Sequence, residues 1–194
     1  MKNNIIKCSI IVAIIVLYMI KRSGFAEPDF DTGIPQEVTY TEDAINISGK
    51  QISVLDKIDT TLSSLNDEPK DVFKAKNSGV YTYTNLGLEI ETFTIKQTEY
   101  PLHLFVEKEG ITSYRNMGVG NTREQIHEAY GLPVDQDKDF NNDRLGAFPN
   151  SEFYTFSNCL VQFQYDDNDI VKLFYVENLD TRLRMNHFWK IDLY

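Results

Sequence analysis

Cysteine is scarce in this chain of 194 residues: there are two, Cys8 and Cys159. Cys8 lies in an apolar leader, so the folded part holds one thiol and no internal disulfide. That excludes a disulfide-stapled miniature scaffold. Positive charge is also short. Lys and Arg number 19 against 29 Asp and Glu, a formal net charge of -10. No acidic residue precedes Glu27, whereas Lys2, Lys7, Lys21 and Arg22 do. Without those four cations the remainder carries 15 basic against 29 acidic side chains, or -14. Such a surface repels phosphate backbones and anionic lipid, which argues against nucleic-acid binding; solubility of an exported protein is its plainest role. Catalytic signatures are missing as well. There is no Gly-x-Ser-x-Gly elbow, and His127-Glu128 is followed by Ala129-Tyr130-Gly131, so no second histidine arrives one helical turn later. Gly118 and Gly120 precede a helix-like stretch but lack the third glycine and the buried parallel strand of a nucleotide site.

What is present begins with the leader. Residues Cys8 to Ile20 form an uncharged, mostly apolar run flanked by Lys2 and Lys7 before and Lys21 and Arg22 after. It falls short of the roughly 20 residues that cross a bilayer and suits the core of a secretory signal, with Gly24-Phe25-Ala26 at the cleavage spacing. The two cations ahead of that site work against cleavage. If Lys7 snorkels, Ile5 and Ile6 lengthen the run toward an anchor. Residues 1–26 therefore read as a signal peptide or membrane anchor, and the rest of the chain is expected to be extracytoplasmic. Cys8 is not a lipid-attachment site, because Ile5-Ile6-Lys7 stand where small residues are needed.

Residues 27–43 are acidic, contain Pro28 and Pro35, and read as a linker. Ile45-Asn46-Ile47 and Ile52-Ser53-Val54 alternate about Ser48-Gly49, a hairpin pattern. Ile58, Leu62 and Leu65 fall on one helical stripe, with Asp56 as cap, Asn66 as stop and Pro69 beyond. In a second helix, Thr122 and Gln125 have capping-box spacing, Ile126, Ala129 and Tyr130 share a face, and Gly131 with Pro133 ends it. Beyond the helices the chain nearly repeats itself: Tyr81-Thr82-Tyr83-Thr84-Asn85 returns as Tyr154-Thr155-Phe156-Ser157-Asn158. Leu88-Glu89-Ile90 answers Val161-Gln162-Phe163, and Leu102 to Phe105 answers Val171 to Phe174. The expected fold is α+β: two tandem units, each a short helix packed on an antiparallel sheet, at 44–116 and 117–179. Residues 180–194, with Phe188 and Trp189, are expected to form a final strand or a packed tail.

Gly118-Val119-Gly120-Asn121-Thr122, then Ile126, Tyr130-Gly131 and Pro133, resembles the helix signature of the beta-lactamase-inhibitor-protein-like superfamily, to which small outer-membrane assembly lipoproteins are similar. In the first copy Asp56 stands at the place of Gly120 and Asn66 replaces the turn glycine. The resemblance implies a helix on one face of an antiparallel sheet and binding of other proteins through the open sheet face and loops. It identifies no target.

Alternation places Leu88, Ile90, Leu102 and Leu104, and in the second copy Val161, Phe163, Val171 and Leu173, toward the helices. The opposite face then collects Glu89, Glu91, His103, Gln162, Gln164 and Lys172 around Phe105 and Phe174. Phe105 and Phe174 are the candidate anchors for a protein partner, with His103 and Lys172 in the polar surround. The competing expectation is that the tail around Trp189, or the linker, covers them. No cofactor is expected. Asp135, Asp137 and Asp139 alternate as calcium ligands do, but Phe140 and Gly146 occupy the positions that need Gly and Glu, so a solvated acidic loop is the plainer account. Cys159 is weighed as a nucleophile because His103, His127 and His187 exist, and set aside because its repeat counterpart is Leu86. The expectation is a non-catalytic, protein-binding, inhibitor-like module of a bacterial envelope or secreted fraction. A structural envelope-assembly factor is the alternative, and an exported hydrolase the third.

Overall fold

The structure, a computed structural model, describes residues 42–133 and 150–189. The leader, almost all of the linker, and Asp135, Asp137 and Asp139 lie outside the described residues. The architecture is mixed α+β, and every strand pairing is antiparallel.

A small sheet comes first. β1 (Ala44–Ile47) and β2 (Lys50–Ser53) form a hairpin, and β7 (Ile111–Ser113) pairs with the free side of β1. Ser48 and Gly49 both take positive φ, 49° and 78°, which is the turn geometry that matches strand twist in a two-residue hairpin. The large sheet has seven strands: β3 (Asp71–Lys74), β4 (Ser78–Tyr83), β5 (Leu88–Ile95), β6 (Thr98–Val106), β10 (Val171–Asn178), β9 (Cys159–Tyr165) and β8 (Ser151–Thr155), in that spatial order. The central pair is β6 with β10, in the register Val106 to Phe174, Phe105 to Tyr175, Leu104 to Val176 and His103 to Glu177.

Two short helices cover one face of that sheet. α1 (Ile58–Leu65) buries Ile58 and Leu65 and ends at Asn66 in the left-handed conformation, φ 52°. Its N-cap is Lys57, with no side-chain bond, rather than Asp56. α2 (Arg123–Tyr130) carries the full capping box: Thr122 Oγ1 accepts from the Gln125 N–H, and Gln125 Oε1 accepts from the Thr122 N–H at 2.9 Å. Gly131 closes α2 through its N–H to the His127 carbonyl, with φ 83° and ψ -179° in place of the expected left-handed cap. Neither helix is long enough to stand alone. Ile58 and Ile126 instead join one core with Ile45, Leu88, Ile90, Leu104, Val161, Phe163, Phe174 and Val176.

The opposite face carries α3 (Leu179–Trp189), where the sequence suggested a strand or packed tail. Asn178 caps it by accepting from the Thr181 N–H at 2.9 Å, and its amide donates to the Val54 carbonyl at 3.0 Å. α3 crosses the sheet over β5, β6, β9 and β10, and Phe188 meets Phe93 edge-on at 5.7 Å.

Phe174 corrects the sequence expectation. Val171 opposes Tyr165 and Leu173 opposes Gln164, so Lys172 is an extra residue in a β-bulge. The bulge advances the alternation by one. Phe174 turns into the core, fully buried and stacked on Phe163 at 5.8 Å, while Leu173 turns to the other face. Leu102 is the extra residue of a second irregularity, opposite the Glu91–Thr92 step, and is buried outside the main core. Only Phe105 of the two aromatic anchors therefore lies on the α3 face. Phe174→Ala is expected to cost about 3–5 kcal/mol of stability; Phe105→Ala, at a half-buried site, should cost less than about half of that. Urea titration of both variants checks the order, and equal losses would contradict the assigned faces.

Candidate partner-binding groove

On the α3 face the central strands place polar groups where a sheet interior usually holds hydrocarbon. His103 Nδ1 lies 2.7 Å from Glu91 Oε2, and Arg182, from α3, lies 2.8 Å from His103 Nε2. The same arginine donates to Glu177 Oε1. The Glu177 side chain is 1% exposed and that of His103 7%. Glu177 Oε2 sits 3.7 Å from His103 Nε2 and has no hydrogen bond. An arginine N–H can only donate, so its contact with Nε2 belongs to the neutral ring whose Nδ1–H donates to Glu91. The protonated ring has Glu177 Oε2 as a second acceptor close by.

Burial opposes charge on His103, but the carboxylates of Glu177 and Glu91 outweigh it and hold its pKa above the ordinary value. The bond from His103 lowers the pKa of Glu91, against the effect of burial. For Glu177 burial acts upward, yet His103 and Arg182 together bring its pKa below the usual carboxylate range. The network links β5, β6, β10 and α3.

Next to it, a groove of about 360 Å³ opens on the same face. Phe105 and Leu173 give it an apolar floor, Glu89, Glu91 and Glu107 stand around it, and Thr82, Gly87 and Lys108 also line it. The Phe105 ring packs on His103 at 4.9 Å and on Tyr175 at 5.0 Å, which fixes its orientation. Lys108 folds over Gly87, where a Cβ would come within 2.4 Å of its side chain, and donates to the Thr84 carbonyl at 2.7 Å. Of the four residues expected to form a binding surface, the structure brings His103 and Phe105 together. Phe174 is in the core, and Lys172, exposed at the bulge, is not among the described residues lining the groove. Sequence reading missed Glu177 and Arg182. Glu177 left a signal, since it follows the apolar run Leu173 to Val176 in a position that demands a partner; Arg182 left none.

A second polar cluster lies under α2. Arg123 bonds Glu152 and Asn150, both at 2.5 Å, and Asp169 at 3.0 Å, and its guanidinium sits 3.9 Å over the Tyr165 ring. His127 and the Tyr165 hydroxyl complete Glu152, at 3.0 and 2.8 Å. With its carboxylate saturated, this cluster locks α2 to β8 and to the β9–β10 turn. Cys159 is fully buried, and burial pushes its thiol up, away from the thiolate that nucleophilic attack needs. Among the described residues no cluster of three or more His, Cys, Asp or Glu is arranged to hold a metal ion, and no helix is long and apolar enough to cross a membrane.

No family's sequence profile matches the chain, and no curated protein matches it. Solved structures do match. One is an extracellular protein containing a SCP domain from Bacillus anthracis str. Ames, at 10% identity and a TM-score of 0.44. Another is a cysteine-rich secretory protein from Staphylococcus aureus subsp. aureus Mu50, at 11% identity and the same TM-score. Each match covers 64% of this chain and 44% of the other, so the chain spans less than half of either protein. The resemblance to the beta-lactamase-inhibitor-protein-like superfamily is not borne out: no family's sequence profile matches, and the solved structures that match are those of other proteins. The described strands of both halves also run through one seven-stranded sheet rather than two sheets. The stretch from Gly118 to Pro133 that carried the resemblance is a cap, an apolar stripe and a stop, which any short helix on a sheet requires.

The raised pKa of His103 has a direct consequence. A group that binds its proton more tightly when folded contributes stability that is complete below its unfolded pKa, about 6.5, and is lost as pH rises through the folded value. Stability measured from pH 6 upward should therefore fall in the parent more steeply than in His103→Gln. Parallel curves would show that His103 does not titrate in the fold.

Proposed function

We propose that this chain is a non-catalytic, extracytoplasmic protein-binding module whose docking surface is the groove floored by Phe105. The observation that carries the reading is the groove itself: an apolar floor with a charged surround, backed by a buried network that fixes its wall. Fixed polar groups around an aromatic anchor suit recognition of a protein surface. The extracytoplasmic location rests on the uncharged apolar run from Cys8 to Ile20 with its flanking cations, and the two neighbours described as extracellular and secretory agree with it. The non-catalytic reading draws support from the buried, protonated Cys159 and from the saturated carboxylate of Glu152.

We also read the body as two tandem units. Tyr81 and Tyr83 of β4, and Tyr154 of β8, are buried in the same core, with Phe156 packed at its edge. Each strand leads into a hairpin, β5–β6 or β9–β10, and the two hairpins meet at the β6–β10 pair.

Capture of a partner by the tagged full chain in envelope extract tests the function. Phe105→Ala should lower recovery of that partner by about five- to thirty-fold, the equivalent of roughly 1–2 kcal/mol at an interface anchor. Recovery unchanged by this substitution would remove the groove as the docking surface. Release of the chain from membranes at high salt would favour a secreted form, and retention an anchored one.

A further inference from the structure

Resting on that reading, we infer that the groove accepts a cationic side chain, an arginine, presented by the partner protein. The floor and the charge point the same way. Phe105 and Leu173 offer a flat apolar bed of the kind that an arginine stem and guanidinium plane cover. Glu89 and Glu91 project to one side of β5, two residues apart and so roughly 7 Å from each other, and Glu107, the residue after β6, lines the same groove.

The carboxylates are held apart from local neutralisation. Glu89 touches the Thr82 hydroxyl at 3.4 Å. Glu91 gives one oxygen to His103, which holds the carboxylate in place and lowers its pKa, and its side chain remains 37% exposed. Lys108, the cation that lines the groove, is tied to the Thr84 carbonyl. Arg182 is spent on Glu177 and His103 behind the wall. Among the described residues that line the groove, Glu89, Glu91 and Glu107 thus stand against the single cation Lys108. The net charge of -10 adds a field that draws a basic partner in from a distance. A planar guanidinium has donors pointing in several directions, which suits carboxylates placed apart; a lysine ammonium serves them less well.

The test uses the isotope-labelled full chain in non-ionic detergent, titrated at low salt with three probes: N-acetylarginine amide, N-acetyl-lysine amide and N-acetylcitrulline amide. The last has arginine's shape without its charge. Saturable amide shifts at Thr82, Glu89, Glu91 and Phe105 are expected with the arginine probe, several-fold weaker binding with lysine, and none with citrulline. Glu89→Gln, at a half-buried site outside the buried network, should weaken arginine binding at least five-fold while leaving the spectrum otherwise folded. Equal shifts from citrulline, or arginine shifts that Glu89→Gln leaves unchanged, would overturn the inference. Partner capture that survives saturating arginine amide would also overturn it while leaving the protein-binding reading in place. Arginine binding in the groove with no partner ever captured would uphold the cation subsite and remove the protein-binding reading instead.

Discussion

A carboxylate buried in a sheet interior must be met by charge and hydrogen bonds, or it is not carried as a charge at all. Glu177 sets that condition on the central strand pair. Arg182 meets it from α3 with a hydrogen bond, and His103, when protonated, adds its charge from β6 at 3.7 Å while holding Glu91 on its other nitrogen. The helix is therefore fastened largely through polar groups. Its buried residues are Asp180, Thr181 and Asn186, and Arg184 returns to Asp180 at 2.8 Å. Removing one member of such a set leaves the others buried and uncompensated, so the network acts as a unit. One face of the sheet is thus held by hydrocarbon and two short helices, and the other by ions and one longer helix. This division places a charged groove beside a rigid support without opening the core.

Much of the fold was legible because several segments carry local rules that agree with their tertiary setting. The Ser48-Gly49 turn, the Ile58–Leu65 stripe and the Thr122–Gln125 box each specify a geometry within a few residues, and each forms. α3 was not legible for the reason given above: a helix whose buried side chains are polar shows no apolar stripe at helical spacing. The Asn178–Thr181 cap and the Asp180–Arg184 pair were its available signs. The groove was half legible. Phe105, His103, Glu89 and Glu91 were assigned to one face by alternation alone. Glu177, Arg182 and Leu173 join them through a strand pairing, a helix crossing and a bulge, which are long-range facts that no window of sequence contains.

The two edges of the large sheet are managed differently. β8 has Glu152 and Tyr154 buried beneath α2 and its partners. β3 has all four residues exposed, Phe73 at 65% among them. Its short length, its own Lys74 and the flanking Lys70 and Lys76 are the usual means of keeping an edge from pairing with another chain. Lys74 is drawn in toward Glu99 at 2.8 Å, which leaves part of that protection to its neighbours.

The bulge at Lys172 reaches beyond this one strand. Counting residues along β10 without allowing for it assigns interior positions to the exterior face, and exterior ones to the interior, from Leu173 onward. The cross-strand partners give the true faces, with Leu104 beside Val176 in the core and Phe105 beside Tyr175 on the α3 face. The side a β10 residue faces is therefore read from its hydrogen-bond partner and not from its distance along the chain from Val171.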